Sequence, residues 1–181
     1  MHRYKHYNQQ SHYNQQSGFS LIELMAAVVC GGILLAIGLP AFGNFVKNSR
    51  LTTQTNDVLT AIHVARNEAV NRGHNVRVIS INGDTDWAFG WQVRLDVNNN
   101  GNIDSPTTID IVLRNYDAIK KATLVSTDSS IAYESTGFID QARNPTPIAI
   151  TLTADECTAE DIRVISVKLS GLVSSERQYC P

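Results

Sequence analysis

Gly18-Phe19-Ser20-Leu21-Ile22-Glu23-Leu24 opens an uncharged run that continues to Val46, its apolar character interrupted only by glycines, Pro40 and Asn44. From Leu24 onward, some 23 residues of helix rise roughly 34 Å, enough to cross a hydrocarbon core of about 30 Å. No second stretch of this kind occurs in the chain. The one carboxylate, Glu23, stands at the mouth of the segment. An ionised side chain inside such a span costs several kcal/mol, so Glu23 belongs at a headgroup layer or beside a positively charged partner. An ordinary secretory signal would have a shorter apolar region with a small-residue cleavage site on its far side. Here the small residue, Gly18, precedes the apolar run.

Beyond Val46 the chain turns polar without losing its helical period. Leu51, Thr55, Val58, Ile62, Ala65 and Ala69 recur at three- and four-residue steps, with Lys47, Arg50, Asp57, Arg66 and Glu68 mostly on the other faces. This predicts one helix from about Ser20 to Asn71, with Gly31, Gly32, Gly38 and Pro40 as weak points and Gly73 as its stop. From Val76 the period changes to two. Strands are predicted at Val76–Ile81, Trp87–Leu95, Ile109–Arg114, Ala122–Ser126, Ile148–Thr153 and Arg163–Leu169, with Asn82-Gly83 as the first turn. A long helix followed by short strands reads as α+β, the amphipathic half of the helix lying on antiparallel sheet.

Before the opening stretch lies a tandem repeat, His6-Tyr7-Asn8-Gln9-Gln10-Ser11 and His12-Tyr13-Asn14-Gln15-Gln16-Ser17. With Arg3 and Lys5 and no acid, this end is expected on the cytoplasmic side of a membrane. Its three histidines, His2, His6 and His12, lack a folded frame and read as composition rather than a metal tract. The whole chain carries a formal charge of −2, and loss of residues 1–18 would make the rest more acidic. That balance argues against a generally nucleic-acid-binding surface.

The opening stretch resembles the N-terminal signature of type IV prepilins and type II secretion pseudopilins. In that family a leader ends in Gly and is followed by Phe-Ser/Thr-Leu-Ile-Glu and an apolar helix. The resemblance implies that Gly18 and Phe19 are the processing residues: a membrane peptidase cuts after Gly18 and N-methylates Phe19. It also implies that Glu23 and Pro40, at the fifth and twenty-second mature positions, serve assembly, Glu23 attracting the free amine of a neighbouring subunit. Such an ammonium and carboxylate meeting away from water relieve each other's desolvation. Further on, Ala65-Arg66-Asn67-Glu68-Ala69-Val70-Asn71-Arg72, Gly90-Trp91-Gln92-Val93, the Asp96 loop and Gly171 near a terminal Cys are similar to minor pilins and pseudopilins of the GspH/FimT/FimU type. This implies a pilin fold with a small β-sandwich against the helix. The expected division is a prepilin leader over 1–18, a transmembrane and filament-core helix over 19–46, and a periplasmic or extracellular domain over 47–181. Within that domain the second half of the helix covers 47–72 and the β part 73–181.

The implied function is a non-enzymatic minor pilin in type IV pilus assembly or initiation. Its implied partners are other pilin or pseudopilin subunits, the prepilin peptidase and the inner membrane. A GspH-type pseudopilin of type II secretion and a DNA-binding FimT-like pilin are the alternatives. For DNA, the family's C-terminal Gly-Arg-x-Arg pattern is replaced by Gly171-Leu172-Val173-Ser174, and Arg163, Lys168 and Arg177 are offset by Glu160, Asp161 and Glu176. In an oxidising extracytoplasmic compartment, Cys157 and Cys180 suggest a disulfide, whereas Cys30 reads as a small apolar residue of the helix. No cofactor is expected. A weak calcium candidate is Asp96, Asn98, Asn100, Asn102 and Asp104, spaced as in the first part of an EF-hand loop but with Thr107 where a bidentate acid belongs. His63 and His74 stand near the helix end without a nucleophile elbow, metal spacing or phosphate-binding glycine loop around them.

Overall fold

The computed structural model describes residues 18–98, 110–158 and 160–181, with backbone alone for 37–41. Two compact units emerge, one ending at Gly43 and the other spanning Asn44–Pro181. A single helix, α1 (Leu21–Arg72), contributes to both and stays helical at Pro40. It starts at Ser20, whose hydroxyl accepts a hydrogen bond from the Glu23 backbone N–H at 3.2 Å. That is the N-terminal half of a capping box, with an acid in the first turn where the helix dipole favours it. In this first unit the large apolar side chains from Phe19 to Leu35 are exposed around the helix, without a polar stripe.

Among the described residues no helix is long and apolar enough to cross a membrane. The expected anchor includes residues 37–41, whose side chains lie outside the described residues. So do the leader residues 1–17 and the calcium candidates Asn100, Asn102 and Asp104.

In the second unit the helix presents Leu51, Thr55, Val58, Ile62, Ala65 and Ala69 to the core, all buried as their spacing predicted, with Gln54 and Ala61 beside them. The helix ends where Gly73 turns to φ +68° and its N–H caps the Ala69 carbonyl at 3.0 Å. Eight strands follow: β1 (Asn75–Ser80), β2 (Trp91–Asp96), β3 (Ile111–Tyr116), β4 (Ala122–Ser126), β5 (Ser130–Tyr133), β6 (Ile148–Ala154), β7 (Ile162–Val167) and β8 (Val173–Gln178). They form two antiparallel four-stranded sheets, in the orders β3-β2-β1-β5 and β4-β6-β7-β8. Alternation is plain in β6 and β7, where Ile148, Ile150, Leu152, Ile165 and Val167 are buried between more exposed neighbours.

Several predicted boundaries shift. The second strand begins at Trp91 rather than Trp87, because Trp87 sits in a turn with its backbone N–H bonded to the Leu124 carbonyl and its indole N–H to that of Asp128. Gly90, just before that strand, takes φ +108°, and a Cβ there would lie 2.6 Å from the Tyr116 carbonyl oxygen. The third strand runs two residues later than predicted, and β5 and β8 were not foreseen.

Candidate functional site

At the N-terminal end Gly18 is open, with nothing near the position of an added Cβ, and Phe19 is 83% exposed. Glu23 is exposed one helical turn further on. Cleavage at this glycine would leave Phe19 with a free amine at the start of an apolar helix whose first-turn acid is accessible. Cys30 is a free, exposed cysteine on the same segment.

In the domain, the helix is fastened to the sheets at three levels. Nearest Gly43, the Lys47 ammonium reaches the Asp161 carboxylate at 2.6 Å, the Thr158 hydroxyl at 2.8 Å and the Glu156 carbonyl at 3.2 Å. Burial alone would raise the Asp161 carboxyl. Hydrogen bonds from Lys47 and from the Thr158 N–H and O–H outweigh it and hold the group below its ordinary range. Beside this latch the Cys157–Cys180 disulfide is formed, as the sequence suggested. At the far end Arg66 donates to the carbonyls of Gly171 (3.2 Å) and Ser170 (3.4 Å), and the Tyr133 hydroxyl donates to Gly171 at 3.3 Å. Burial pushes the Tyr133 phenol far above its usual value, so it stays a donor.

The third level is a cleft of about 450 Å³ between α1 and the end of β3, walled by Arg50, Gln54, Asp57, Trp91, Asn115 and Tyr116 among others. Trp91 and Tyr116, partners across β2 and β3, stack with ring centres 5.4 Å apart and planes 11° from parallel. The Gln54 amide donates to the Lys120 carbonyl at 3.0 Å. Its oxygen, the Trp91 indole N–H and the Tyr116 hydroxyl are all buried without a hydrogen-bond partner among the described residues. Each such group costs about 1–3 kcal/mol while unsatisfied. Burial also raises the Tyr116 phenol, so it remains protonated.

Of the expected calcium positions, Asp96 and Asn98 fall among the described residues. Asp96 is buried in β2 and paired with the Arg77 guanidinium at 3.2 Å. Arg77, desolvated by burial, is held below the usual arginine value despite the attraction of Asp96. Among the described residues no group of His, Cys, Asp and Glu stands close enough to hold a metal. Of the basic residues considered for DNA, Arg163 is buried, its guanidinium spent on the Glu160 and Ile162 carbonyls, while Lys168 and Arg177 are exposed. His63 is exposed and His74 half-buried.

Sequence reasoning missed the Lys47 latch, the Arg66 contact and the cleft. Each brings together groups distant in the chain, and no local spacing announces such a meeting. In the sequence Arg66 reads as a charged helix-face residue near the helix end and Trp91 as part of a strand motif.

Comparison with known families and structures gives three findings. The family model described as Type II transport protein GspH matches residues 54–171, more than half of the chain. The prokaryotic N-terminal methylation motif matches residues 13–39. Among solved structures, the type IV minor pilin FimU of Pseudomonas aeruginosa aligns in two crystal forms. One gives a TM-score of 0.57 at 19% identity, over 73% of this chain and 92% of that one; the other gives 0.54 at 20%, over 69% and 91%. The minor pseudopilin EpsH from the type 2 secretion system of Vibrio cholerae aligns with a TM-score of 0.47 at 10% identity, over 71% and 97%. No curated protein sequence matches the chain.

Proposed function

The chain belongs to the family of type II transport protein GspH, and from that premise we propose that it works as a minor pilin in the assembly or initiation of a type IV pilus. It is a minor pilin or pseudopilin with an N-terminal methylation motif, and its role is structural. In the reading proposed, a prepilin peptidase cuts after Gly18 and methylates Phe19. The apolar half of α1 then anchors the subunit in the inner membrane by a single pass until it enters the fibre, with the β-domain on the periplasmic side. Glu23 pairs with the Phe19 amine of a neighbouring pilin and sets its register, and Pro40 belongs to the same packed segment.

The observation that carries this is the start of α1: a Ser20 cap, an exposed Glu23, and large apolar side chains exposed on every side from Phe19 to Leu35. A helix apolar all round needs lipid or other helices as its solvent, and an acid on it needs a cation. The description of the matched family favours a second reading, a minor pseudopilin of type II secretion. Complementation of a strain lacking its pilus minor subunits, against one lacking its minor pseudopilins, separates the two.

Processing is tested directly. Gly18→Val should leave an uncut precursor in the membrane fraction, and mass spectrometry finding Phe19 at its N-terminus would overturn the cleavage assignment. Glu23→Ala should be cut normally yet enter filaments poorly, and undiminished incorporation would remove the charge pair.

A further inference from the structure

Between Asn44 and Leu51, α1 buries no side chain: Lys47 and Arg50 are half-buried and the others are exposed, whereas Leu51, Thr55 and Val58 are all in the core. Apolar burial therefore does little to hold the first two turns of the helix against the domain. Polar contacts take its place. Lys47 donates to the Glu156 carbonyl, the Thr158 hydroxyl and the Asp161 carboxylate, and Asn48 Oδ1 accepts from Arg163 at 3.5 Å.

All three Lys47 acceptors lie on one short connection. β6 ends at Ala154 and β7 begins at Ile162, and the described residues between them form neither helix nor strand. A segment without a ladder of its own opens easily and keeps its place by its ties. Two backbone bonds of 3.3 Å fasten its ends, from the Asp155 N–H to the Lys121 carbonyl and from the Ala154 N–H to the Asp161 carbonyl. The covalent tie is between them. Cys157, bonded to Cys180 just beyond β8, stands between Glu156 and Thr158, whose carbonyl and hydroxyl receive Lys47.

We propose that the Cys157–Cys180 bridge is a redox control on the domain's grip of α1. Oxidised, it keeps Glu156 and Thr158 where Lys47 meets them; reduced, it lets the connection drift and frees the first two domain turns of the helix. Both cysteines are half-buried, within reach of a small dithiol. Reduction takes two electrons and two protons from that dithiol, which becomes a disulfide itself, and leaves Cys157 and Cys180 as separate thiols. The effect is on the folded chain, and so differs from any restriction of the unfolded one. The link also runs both ways: loosening Lys47 makes the bridge easier to reduce by the same factor.

The test uses the full chain in detergent, oxidised or reduced with dithiothreitol, below the melting transition of both forms. An amine-reactive acetyl ester is added, and mass spectrometry follows Lys47 against the exposed Lys168. Reduction should raise the Lys47 rate relative to Lys168 roughly tenfold, the equivalent of one or two lost hydrogen bonds. A second measurement decides should the reduced chain not stay folded. In buffers of reduced and oxidised dithiothreitol, Lys47→Met should lower the ratio that half-reduces the bridge by a similar factor. Ile62→Val, which loosens the core away from the connection, should leave that ratio unchanged. An unchanged Lys47 rate in a folded, reduced chain would overturn the proposal. So would a half-reduction point that Lys47→Met does not move, or that Ile62→Val moves equally.

Discussion

Lys47 and Asp161 stand 114 positions apart and meet at 2.6 Å, with Asp161 almost wholly buried. Burial disfavours the charged carboxylate, and the ammonium and two Thr158 donors reverse that preference. The folded value is therefore below the unfolded one, and the unfolded chain takes up the proton first on acidification. The stabilisation is complete above the ordinary aspartate value of about 3.9 and disappears as pH falls through the lower folded value. Lys47→Met should accordingly lower the melting temperature at neutral pH, and the gap to the native chain should close below about pH 4. A gap that stays constant from neutral to acid pH, followed by circular dichroism, would show that Lys47 acts through packing of its stem instead of its charge. Asp96 carries a different lesson at the same scale. Its carboxylate meets the Arg77 guanidinium, a pairing that no local spacing shows, because only the pairing of β1 with β2 brings the two together.

Among the elements, the turn joining β7 to β8 is the most constrained. Gly171 has φ +77°, is buried, and has the Gly137 carbonyl oxygen 2.3 Å from where a Cβ would stand, with Tyr133 and Arg66 close behind. Its carbonyl also accepts from both Arg66 and Tyr133. Gly171→Ala should cost about 2–4 kcal/mol through backbone strain and overpacking, read as a shift in the denaturation midpoint. Indifference to the substitution would mean that the turn adjusts freely. The elements differ in how far the sequence announced them. The α1 core face was legible because each inward position repeats at helical spacing, and β4, β6 and β7 because apolar residues alternate. β8 was not, since Val-Ser-Ser-Glu-Arg-Gln lies at a sheet edge with most of its side chains in solvent, and its order comes from backbone pairing to β7. β5 is four residues long and is held by β1. The processing and assembly roles proposed for Gly18, Phe19, Glu23 and Pro40 rest on their order along the chain, which a sequence displays directly. The cleft could not be read that way, because Gln54, Trp91 and Tyr116 meet only when β2, β3 and α1 are in place.

For the domain as a whole, the Cys157–Cys180 bridge closes a loop of 23 positions that contains β7 and β8. Closing a loop of that size restricts the unfolded chain by about 3 kcal/mol on the chain-entropy estimate. The Cys157→Ser/Cys180→Ser variant should lose stability of that order in chemical denaturation, and the native chain should match it once reduced. Equal stability of the native and double-serine chains under oxidising conditions would assign the bridge no thermodynamic part. The bridge also bears on how copies can meet. β8 is the last strand and lies at a sheet edge, the position from which a chain most readily trades a strand with its neighbour. Here the residue two beyond β8 is bonded covalently to one just before β7, so β8 cannot leave alone to complete another copy's sheet. The oxidised subunit is held against strand exchange at this edge, and reduction of the bridge would open that route to entanglement between copies.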